Sequence, residues 1–388
     1  MPELNDLSSI SGKLNAKFGA NSCRLGTSAP SDAFRLPTGI FALTYATGGG
    51  FPVNQISILK GPESGGKTST AISTMSMVPR ICWRCFNTVK KCTCSLPAQK
   101  MKSVWIDVEG RFNKFWAQSI GCSPEDYYLI NPEDGNQAGD QAKAALDADD
   151  CGLVVIDSVA ALVPSEMMDA SLDDKFIATQ ARLISDIVKR LTSKLNREIK
   201  REHPCVVLLI NQMRANIGVF YGPTTVMAGG WSLKYFNGMN INITKKALQD
   251  KDKYYDKENN LFLAQKHAFS VDKFSSLKFS ESGEFIRAIA DIPDLGYLRG
   301  DIIDHKLVLS ELLKQGLMIK KGTANYSFDG KSGAQKDFVE LWKKNKDLYL
   351  DVQLALINHI RNAILSRGES NEGEAECLPA SVHPVKKK

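Results

Sequence analysis

Residues 55–68 decide the fold of this chain, and they read QISILKGPESGGKT. The apolar segment QISILK predicts a buried strand, and TSTAISTMSM, which starts at residue 68, predicts a helix. The turn between them matches the spacing G-x-x-x-x-G-K-[ST] at each constrained position, through Gly61, Pro62, Glu63, Ser64, Gly65, Gly66, Lys67 and Thr68. A strand-turn-helix unit with this pattern is typical of a phosphate-binding loop.

The residue types in this loop suit a nucleoside triphosphate. Glycines let backbone N–H groups curl around phosphate oxygens, and the N-terminus of the following helix adds partial positive charge. We expect Lys67 to reach the β- and γ-phosphates and the Thr68 hydroxyl to ligate Mg²⁺. The alternative, a glycine-rich turn with no ligand, is disfavoured by the strand before it and the helix after it. The sequence therefore predicts a site for ATP and Mg²⁺.

Short apolar segments alternate with helical patterns on the C-terminal side of this loop. The strand candidates are SVWIDVE (103–109), YYLINP (127–132), GLVVIDSV (152–159) and CVVLLINQ (205–212). Short apolar strands that alternate with helices indicate an α/β fold with a buried, mainly parallel sheet. After about residue 238 the strands become more polar, which predicts antiparallel strands that extend one edge of the sheet.

Three of these strands end in polar side chains that suit the phosphate site. Because the carboxyl ends of parallel strands meet at one edge of a sheet, Asp107, Glu109, Asp157 and Gln212 should lie together there. We expect Asp157 to hold the Mg²⁺ shell, Glu109 to orient or deprotonate the attacking water, and Gln212 to sense the γ-phosphate. Taken alone, a carboxylate at a strand end is usually just solvated, and an amide there can simply cap the strand.

Two long segments follow these strand ends. Residues 164–177 read PSEMMDASLDDKFI, and residues 213–230 read MRANIGVFYGPTTVMAGG. Both exceed the usual length of about 2–6 residues for such connections, which indicates functional loops or disorder. Basic residues (Arg182, Lys189, Arg190, Arg214) could neutralise the phosphates of a polymer, and apolar ones (Ile177, Ile217, Phe220) could wedge between bases. The alternative is a solvated basic helix with a mobile lid.

Four of the nine cysteines cluster within residues 82–94, which read CWRCFNTVKKCTC. Cys82, Cys85, Cys92 and Cys94 have the spacing C-x2-C-x6-C-x-C, of which the first half is usual for zinc and the second half less usual. One interpretation is a structural Zn²⁺ knuckle without a catalytic role, since four thiolates leave no open position. The alternative is free or redox-active thiols, because spacing alone does not settle the question.

Length, charge and composition exclude several classes of protein. The chain has 388 residues with a hydrophobic fraction of 43%, which is ordinary for a globular protein. A formal net charge of +6 permits a polyanionic partner without requiring one. No apolar stretch approaches the roughly 18 residues that span a bilayer, and MPELNDLSSI lacks the features of a signal peptide. We expect a cytoplasmic protein with no membrane contact.

Five longer motifs occur in this order along the chain: GPESGGKT, WIDVEGRFNKFWAQSIG, VVIDSVAALVP, LLINQMRANIGVFYG and AGGWSLKYF. Together they resemble the RecA family of bacterial DNA recombinases, including its bacteriophage members. The likeness extends from the N-terminal segment LNAKFGANSCRLG to about residue 360. It implies an N-terminal oligomerisation arm (1–35), a RecA-like P-loop ATPase core (36–290) with a cysteine-rich insertion (80–100), a small α/β C-terminal domain (291–365) and a disordered tail (366–388).

The resemblance implies an ATP-dependent filament on single-stranded DNA that pairs this strand with homologous duplex. Lys67, Glu109 and Gln212 would carry hydrolysis and its coupling to DNA. Beyond the phosphate loop, the resemblance assigns these residues to the nucleotide: Ser69, Asp107, Asn113, Trp116, Asp157 and Lys273. Among them Asn113 and Trp116 match an adenine-contacting pair, with tryptophan in place of a tyrosine. The positions that match the DNA-binding segments are Asp169, Ile177, Arg182, Lys189, Met213, Arg214, Ile217, Gly218, Phe220, Tyr221, Gly229 and Gly230.

Some positions depart from the family pattern. Of two lysines that reach across the subunit interface to ATP, only Lys273 is present, and Val271 holds the other place. The cysteine-rich insertion has no counterpart in the usual pattern. One alternative is a RecA-fold helicase or branch-migration motor, and another is a non-hydrolysing mediator that binds DNA. The intact Lys67, Glu109 and Asp157 argue against the mediator.

Overall fold

The computed structural model describes residues 6–20, 22–25, 35–94, 100–168, 175–201, 203–215, 225–227, 232–248, 254–274 and 278–372. The first elements are α1 (Leu7–Phe18), β1 (Arg35–Leu36), α2 (Phe41–Ala46), β2 (Phe51–Pro52), β3 (Ile56–Gly61) and α3 (Lys67–Met77). Next come β4 (Lys102–Asp107), α4 (Lys114–Ile120), β5 (Tyr127–Ile130), α5 (Gly135–Ala145), β6 (Cys151–Asp157), α6 (Lys175–Arg201), β7 (Val206–Ala215), β8 (Thr225–Met227) and α7 (Ser232–Tyr235).

The second half of the chain begins with strands and ends with helices. Its strands before the C-terminal region are β9 (Asn237–Lys246), β10 (Tyr255–Asp256), β11 (Leu261–Phe262), β12 (Ala264–Phe274) and β13 (Ser282–Ala288). The C-terminal region contains α8 (His305–Lys314), β14 (Ile319–Lys321), β15 (Asn325–Phe328), β16 (Lys331–Gly333), α9 (Gln335–Lys344) and α10 (Lys346–Glu372). Among the described residues, no helix is both long enough and apolar enough to cross a membrane.

The central sheet has the strand order β13-β12-β9-β3-β7-β6-β4-β5. All pairs from β9 to β5 are parallel, whereas β12 pairs antiparallel with both β9 and β13. The predicted α/β class with a mainly parallel sheet is therefore confirmed. The prediction of antiparallel strands after residue 238 is confirmed for β12 and β13, whereas β9 pairs antiparallel with β12 but parallel with β3. The long connection from β7 through β8 and α7 passes β3 and returns the chain in the same direction, as parallel pairing requires.

Apolar layers cover both faces of the sheet, as expected for parallel strands. One layer contains strand residues such as Ile58 and Ile156 together with Ile184, Val188 and Leu191 of α6. The spacing of the α6 residues by three or four positions puts them on one face of the helix. The opposite layer contains buried side chains of α2 and α3 and of the C-terminal helices α8, α9 and α10. The phosphate loop lies between these layers, at the carboxyl ends of the parallel strands.

The C-terminal region packs directly on the second layer. Val308 of α8, Trp342 of α9 and Ile357 of α10 belong to the same hydrophobic cluster as Ile72 of α3 and Trp105 of β4. Strands β14, β15 and β16 form a small antiparallel sheet beside these helices. Helix α10 continues to Glu372, which differs from the predicted start of the tail at residue 366. Once a helix is nucleated, each further residue adds a hydrogen bond, so the helix extends into polar sequence.

A buried arginine connects α3 to the C-terminal region. Arg287 lies near the end of β13 and is 2% exposed. Its guanidinium donates to Ser73 Oγ at 2.7 Å and to Ser69 O at 3.4 Å, both in α3, and to Gly300 O at 3.0 Å. Burial lowers the pKa of Arg287 to about 10. The side chain is thus charged at neutral pH, and these acceptors replace part of the water that it loses on folding, since Nε is buried without a hydrogen-bond partner.

We expect Arg287→Ala to destabilise the protein, because the buried Ser73 hydroxyl and two backbone carbonyls lose a charged donor. The expected decrease in the free energy of unfolding is about 3 kcal/mol. The measurement is the midpoint of urea unfolding. The exposed Arg197 offers a matched control, and Arg197→Ala should change the free energy by less than about 0.5 kcal/mol. Equal midpoints for the two variants would contradict this assignment.

Candidate nucleotide-binding site

The phosphate loop passes so close to strand β9 that only glycine fits at two positions. A Cβ added at Gly61 would lie 2.1 Å from Ile243 O, and one at Gly65 would lie 2.7 Å from the same oxygen. Gly61 and Gly66 also have φ angles of 145° and 102°, which L side chains rarely adopt. The glycines of the motif therefore follow from the close approach of two backbones.

Lys67 holds its ammonium group against the loop. Its Nζ donates to Gly61 O at 3.0 Å and to Pro62 O at 2.6 Å. Burial lowers the pKa of Lys67, and the carboxylates of Asp157 and Glu109 oppose that shift. The site thus places a buried cation beside two acids, which suits an anionic ligand that carries a divalent cation.

Thr68 and Asp157 form the pair predicted to ligate Mg²⁺. The Thr68 hydroxyl donates to Asp157 Oδ2 at 3.0 Å. Burial, with smaller contributions from Glu109 and Asp107, raises the pKa of Asp157 to about 6. A hydroxyl and a carboxylate are oxygen ligands of the kind that Mg²⁺ takes, and a buried acid is stabilised by a nearby divalent cation. The residues therefore fit this ion.

The structure brings Glu109 and Gln212 together at the carboxyl edge of the sheet. Gln212 Nε2 donates to Glu109 Oε1 at 2.9 Å, and the Ser158 hydroxyl donates to the same oxygen at 2.5 Å. Gln212 lies in β7 and Ser158 directly follows β6, so two neighbouring strands hold one carboxylate. Ser158 is a site residue that the sequence pattern does not single out, although it directly follows Asp157.

The Asp107 side chain forms hydrogen bonds with the backbone of the turn that follows β4. Its carboxylate accepts from the backbone N–H groups of Arg111 at 3.1 Å and Phe112 at 2.9 Å. Both oxygens are engaged in this way, and the residue is 5% exposed. Short acidic side chains commonly satisfy the N–H groups of a turn in this manner. Asp107, which the resemblance assigns to the nucleotide, thus shapes the turn that carries Glu109.

Asn113 and Trp116, the predicted adenine-contacting pair, lie at the start of α4. The Asn113 side chain caps the helix by accepting from Trp116 N at 2.9 Å. Trp116 Nε1 donates to Ser69 Oγ at 3.0 Å, which holds the indole beside α3. The Arg299 guanidinium lies 5.2 Å from the centre of the Trp116 ring. No local pattern reveals Arg299, because it belongs to a distant segment of the chain.

A buried histidine contacts the phosphate loop from strand β12. His267 Nδ1 donates to Gly65 O at 2.7 Å, and the ring stacks on Phe285 with centres 5.0 Å apart. A Cβ on Gly66 would lie 2.7 Å from the His267 ring. Burial lowers the pKa of His267 to about 4, so the ring is neutral at pH 7. Local periodicity does not identify His267, since its partner lies 202 positions away along the chain.

The residues predicted to meet DNA or a neighbouring subunit are only partly described. Arg182 and Lys189 are exposed on α6, and Lys273 lies near the end of β12. Met213 and Arg214 belong to β7 instead of a loop, because residues 213–215 pair with β8 in an antiparallel ladder. Outside the described residues lie Asp169, Ile217, Gly218, Phe220, Tyr221, Gly229 and Gly230, and the Ile177 side chain in α6 is likewise not described.

The clustered cysteines converge on one point. The Sγ atoms of Cys82, Cys85, Cys92 and Cys94 all lie within 4.8 Å of one another. Cys82 Sγ and Cys94 Sγ are 3.9 Å apart, well beyond the roughly 2.05 Å of a disulfide. Thiolates at about 2.3 Å from a tetrahedral Zn²⁺ would be about 3.8 Å apart. These residues therefore fit a structural metal ion.

Comparison with known proteins places this sequence in a family. Residues 5–268 match the model of the RecA N-terminal domain. The chain belongs to the RecA family. The matched range contains the phosphate loop and the acidic strand ends of this RecA-family chain.

Several relatives of this RecA-family chain are bacterial. Protein RecA of Bacteroides thetaiotaomicron is 28% identical over 349 residues, which cover 88% of this chain and 93% of that protein. Protein RecA of Bacillus subtilis is 26% identical over 351 residues, which cover 89% of each chain. Protein RecA of Clostridioides difficile is 30% identical over 247 residues, which cover 63% of this chain and 64% of that protein.

Protonation of His267 should make this RecA-family chain less stable in acid. Its folded-state pKa of about 4 lies below the ordinary value of 6.5, so the unfolded chain takes up a proton first as the pH falls. The stabilisation by the neutral ring is complete above pH 6.5 and is lost between pH 6.5 and pH 4.

His267→Asn keeps a donor for Gly65 O but does not titrate. We expect the stability difference between parent and variant, measured by urea unfolding, to shrink by about 1–2 kcal/mol from pH 7 to pH 5. A constant difference over this range would contradict a buried neutral ring.

Proposed function

We propose that this chain is an ATP-dependent DNA recombinase, which forms filaments on single-stranded DNA and pairs that strand with homologous duplex. The observation that carries the proposal is the hydrogen bond of 2.9 Å between Gln212 and Glu109 beside the phosphate loop. Glu109 is the proposed base, and Gln212 lies on the strand that leads to the proposed DNA-binding residues. Membership of the RecA family and the names of the relatives support the same activity.

The side chains of the site would act mainly by positioning and by stabilising charge, as is usual in phosphoryl transfer. Lys67 and the N-terminus of α3 would neutralise the β- and γ-phosphates. Mg²⁺ held by Thr68 and Asp157 supplies further positive charge when it is bound. Glu109 would orient or deprotonate the water that attacks the γ-phosphate in line. Two side-chain hydrogen bonds hold its carboxylate in place, so little reorganisation is needed.

Strand β7 offers a short route from the nucleotide to DNA. Gln212 is followed in the same strand by Met213 and Arg214, the first residues of the segment 213–230 that is proposed to contact DNA. Because residues 213–215 pair with β8, a change at Gln212 would reach this hairpin without an intervening flexible segment. Arg182 and Lys189, which are exposed on α6, would add positive charge for DNA phosphates.

Helix α1 supplies a surface for contacts within the filament. It has no buried residue, and Leu7, Ile10, Leu14 and Phe18 are all exposed. Their spacing of three or four positions forms one apolar stripe along the helix. Apolar surfaces of this kind mark interaction sites, and a neighbouring copy of the chain would cover this one. Lys273 would reach across the interface between two copies of the chain to the ATP of the neighbouring copy.

Two variants and one imaging experiment test this function. Glu109→Gln should bind ATP but hydrolyse it at least about 10²-fold more slowly, since the variant lacks the base. In electron micrographs it should form long helical filaments on single-stranded DNA that persist, because ATP stays intact. Lys67→Ala should lose both ATP binding and filaments, because the phosphates lose their main cation. Hydrolysis is measured with and without single-stranded DNA.

The same experiment distinguishes the alternatives. Closed hexamers instead of continuous filaments would favour a helicase or a branch-migration motor. Filaments without DNA-stimulated hydrolysis in the parent chain would favour a non-hydrolysing mediator. Unchanged hydrolysis in Lys67→Ala would show that the site itself is misassigned.

We also propose that the clustered cysteines hold a structural Zn²⁺. The convergence of four thiol groups supports this site, and their separations suit a tetrahedral ion. Because four protein ligands leave no open position, the ion would fold the segment and take no part in hydrolysis.

Protein purified without chelators should contain one zinc ion per chain by elemental analysis. Cys92→Ser removes one thiolate and should lower the zinc content to less than about half, since ligand loss weakens the site strongly. Cys23→Ser is the matched control, because Cys23 lies outside the cluster and should not affect zinc. A zinc-free parent protein, or equal zinc in both variants, would refute the site.

A further inference from the structure

The cysteine segment lies between the phosphate-loop helix α3 and α10, the last helix among the described residues. We define residues 80–94 as the knuckle, which begins shortly after α3 ends at Met77. Cys82 N donates to Asn87 O at 2.8 Å, and Phe86 N donates to Cys82 O at 2.9 Å. Val89 N donates at 2.7 Å to the backbone oxygen of Arg80, the first residue of the knuckle. These bonds fold the segment back on itself directly beyond the helix that starts at the nucleotide site.

Polar contacts join the knuckle to α10. The Asp351 carboxylate accepts from Thr88 Oγ1 at 2.7 Å and from Lys91 Nζ at 3.1 Å. The Asp351 side chain is only 15% exposed, so the carboxylate that accepts both hydrogen bonds is largely shielded from solvent. A second pair joins Lys90 to Asp347 at 2.5 Å, but both side chains are more than half exposed and the pair contributes less. Asp351 is therefore the main polar anchor of the knuckle on α10.

A cation–π contact forms a second anchor further along α10. Phe86 is 5% exposed and lies in the same hydrophobic cluster as Ile357 and Ile360. The Arg361 guanidinium lies 5.2 Å from the centre of the Phe86 ring. Asp351 and Arg361 are ten residues apart, which corresponds to about 15 Å along a helix. The two anchors therefore span nearly three turns of α10.

The knuckle has little structure of its own to hold these groups in place. Its described secondary structure is one bridge between Ile81 and Thr88 and a short 3₁₀ turn (Val89–Lys91). Segments this small usually need a metal or a disulfide to fold. Phe86 and Thr88 lie between the two cysteine pairs, so a metal that joins the pairs would close the segment around both groups.

We propose that the metal-loaded knuckle is a clamp, which fixes α10 and the other C-terminal helices against the C-terminal end of the phosphate-loop helix. This proposal rests on the zinc site proposed above. With the metal bound, Asp351 and Arg361 contact a rigid partner. Without the metal, the knuckle loosens, both anchors are lost, and the C-terminal region depends on its apolar contacts with the core alone.

Hydrogen–deuterium exchange of the full-length protein tests the clamp, read in peptides that cover residues 346–361. Removal of zinc with a chelator should accelerate exchange there at least about tenfold, and ZnCl₂ should restore the protection. Asp351→Ala should retain zinc and still accelerate exchange at least about threefold, because the polar anchor is lost while the metal stays. Asp347→Ala, at the exposed pair, is the matched control and should change the exchange rate less than about twofold.

The clamp is refuted if removal of zinc, or Asp351→Ala, leaves exchange in residues 346–361 unchanged. A parent protein that binds no zinc refutes it as well. Zinc content measured on the same samples separates a failed metal site from a failed clamp. ATP hydrolysis on single-stranded DNA, measured in parallel, reports separately on the proposed recombinase function.

Discussion

Parallel register between β3, β7, β6 and β4 is the constraint on which the site depends. Gly61 pairs with Gln212, Asp107 pairs with Asp157, and Asp157 pairs with Ile210, so the polar ends of neighbouring strands stop within two residues of one another. A shift of one residue in any strand would turn its side chains to the opposite face. Apolar layers on both faces hold the register, because each parallel strand buries both of its sides. The packing of the core therefore determines the distances between Glu109 and its partners.

Burial makes the charges of the site depend on one another. Removal from water raises the pKa of Asp157 and lowers the pKa of Lys67, and each charged form is stabilised by the other. Buried charges of this kind often cost stability relative to apolar packing, and functional sites commonly carry that cost. His267 stays neutral beside the loop, so it adds a hydrogen bond without adding positive charge. The positive charge beside the loop thus comes from Lys67 and the N-terminus of α3.

Segments that are distant along the chain contact α3. Arg287 binds Ser73, Trp116 binds Ser69, and the knuckle follows the C-terminal end of the same helix. The N-terminus of α3 carries the phosphate loop, whereas its other end leads through the knuckle to α10. An insertion at this position contacts both the helix of the nucleotide site and the C-terminal region without interrupting the central sheet. The proposed clamp would give the cysteine cluster a structural role at a distance from the candidate nucleotide site.

The sequence by itself determined the features whose signals are local. The phosphate loop, the apolar strands and the cysteine spacing each lie within about 15 residues, so composition and periodicity reveal them. The polar strand ends of the site could also be predicted, because a parallel sheet brings its carboxyl ends to one edge. Only the tertiary structure decided the parallel pairing of β9, the hydrogen bond from Ser158 to Glu109 and the contacts of His267, Arg299 and Asp351. Those partners are far apart along the chain, and they meet only because strand order and layer packing bring them together, which no local pattern encodes.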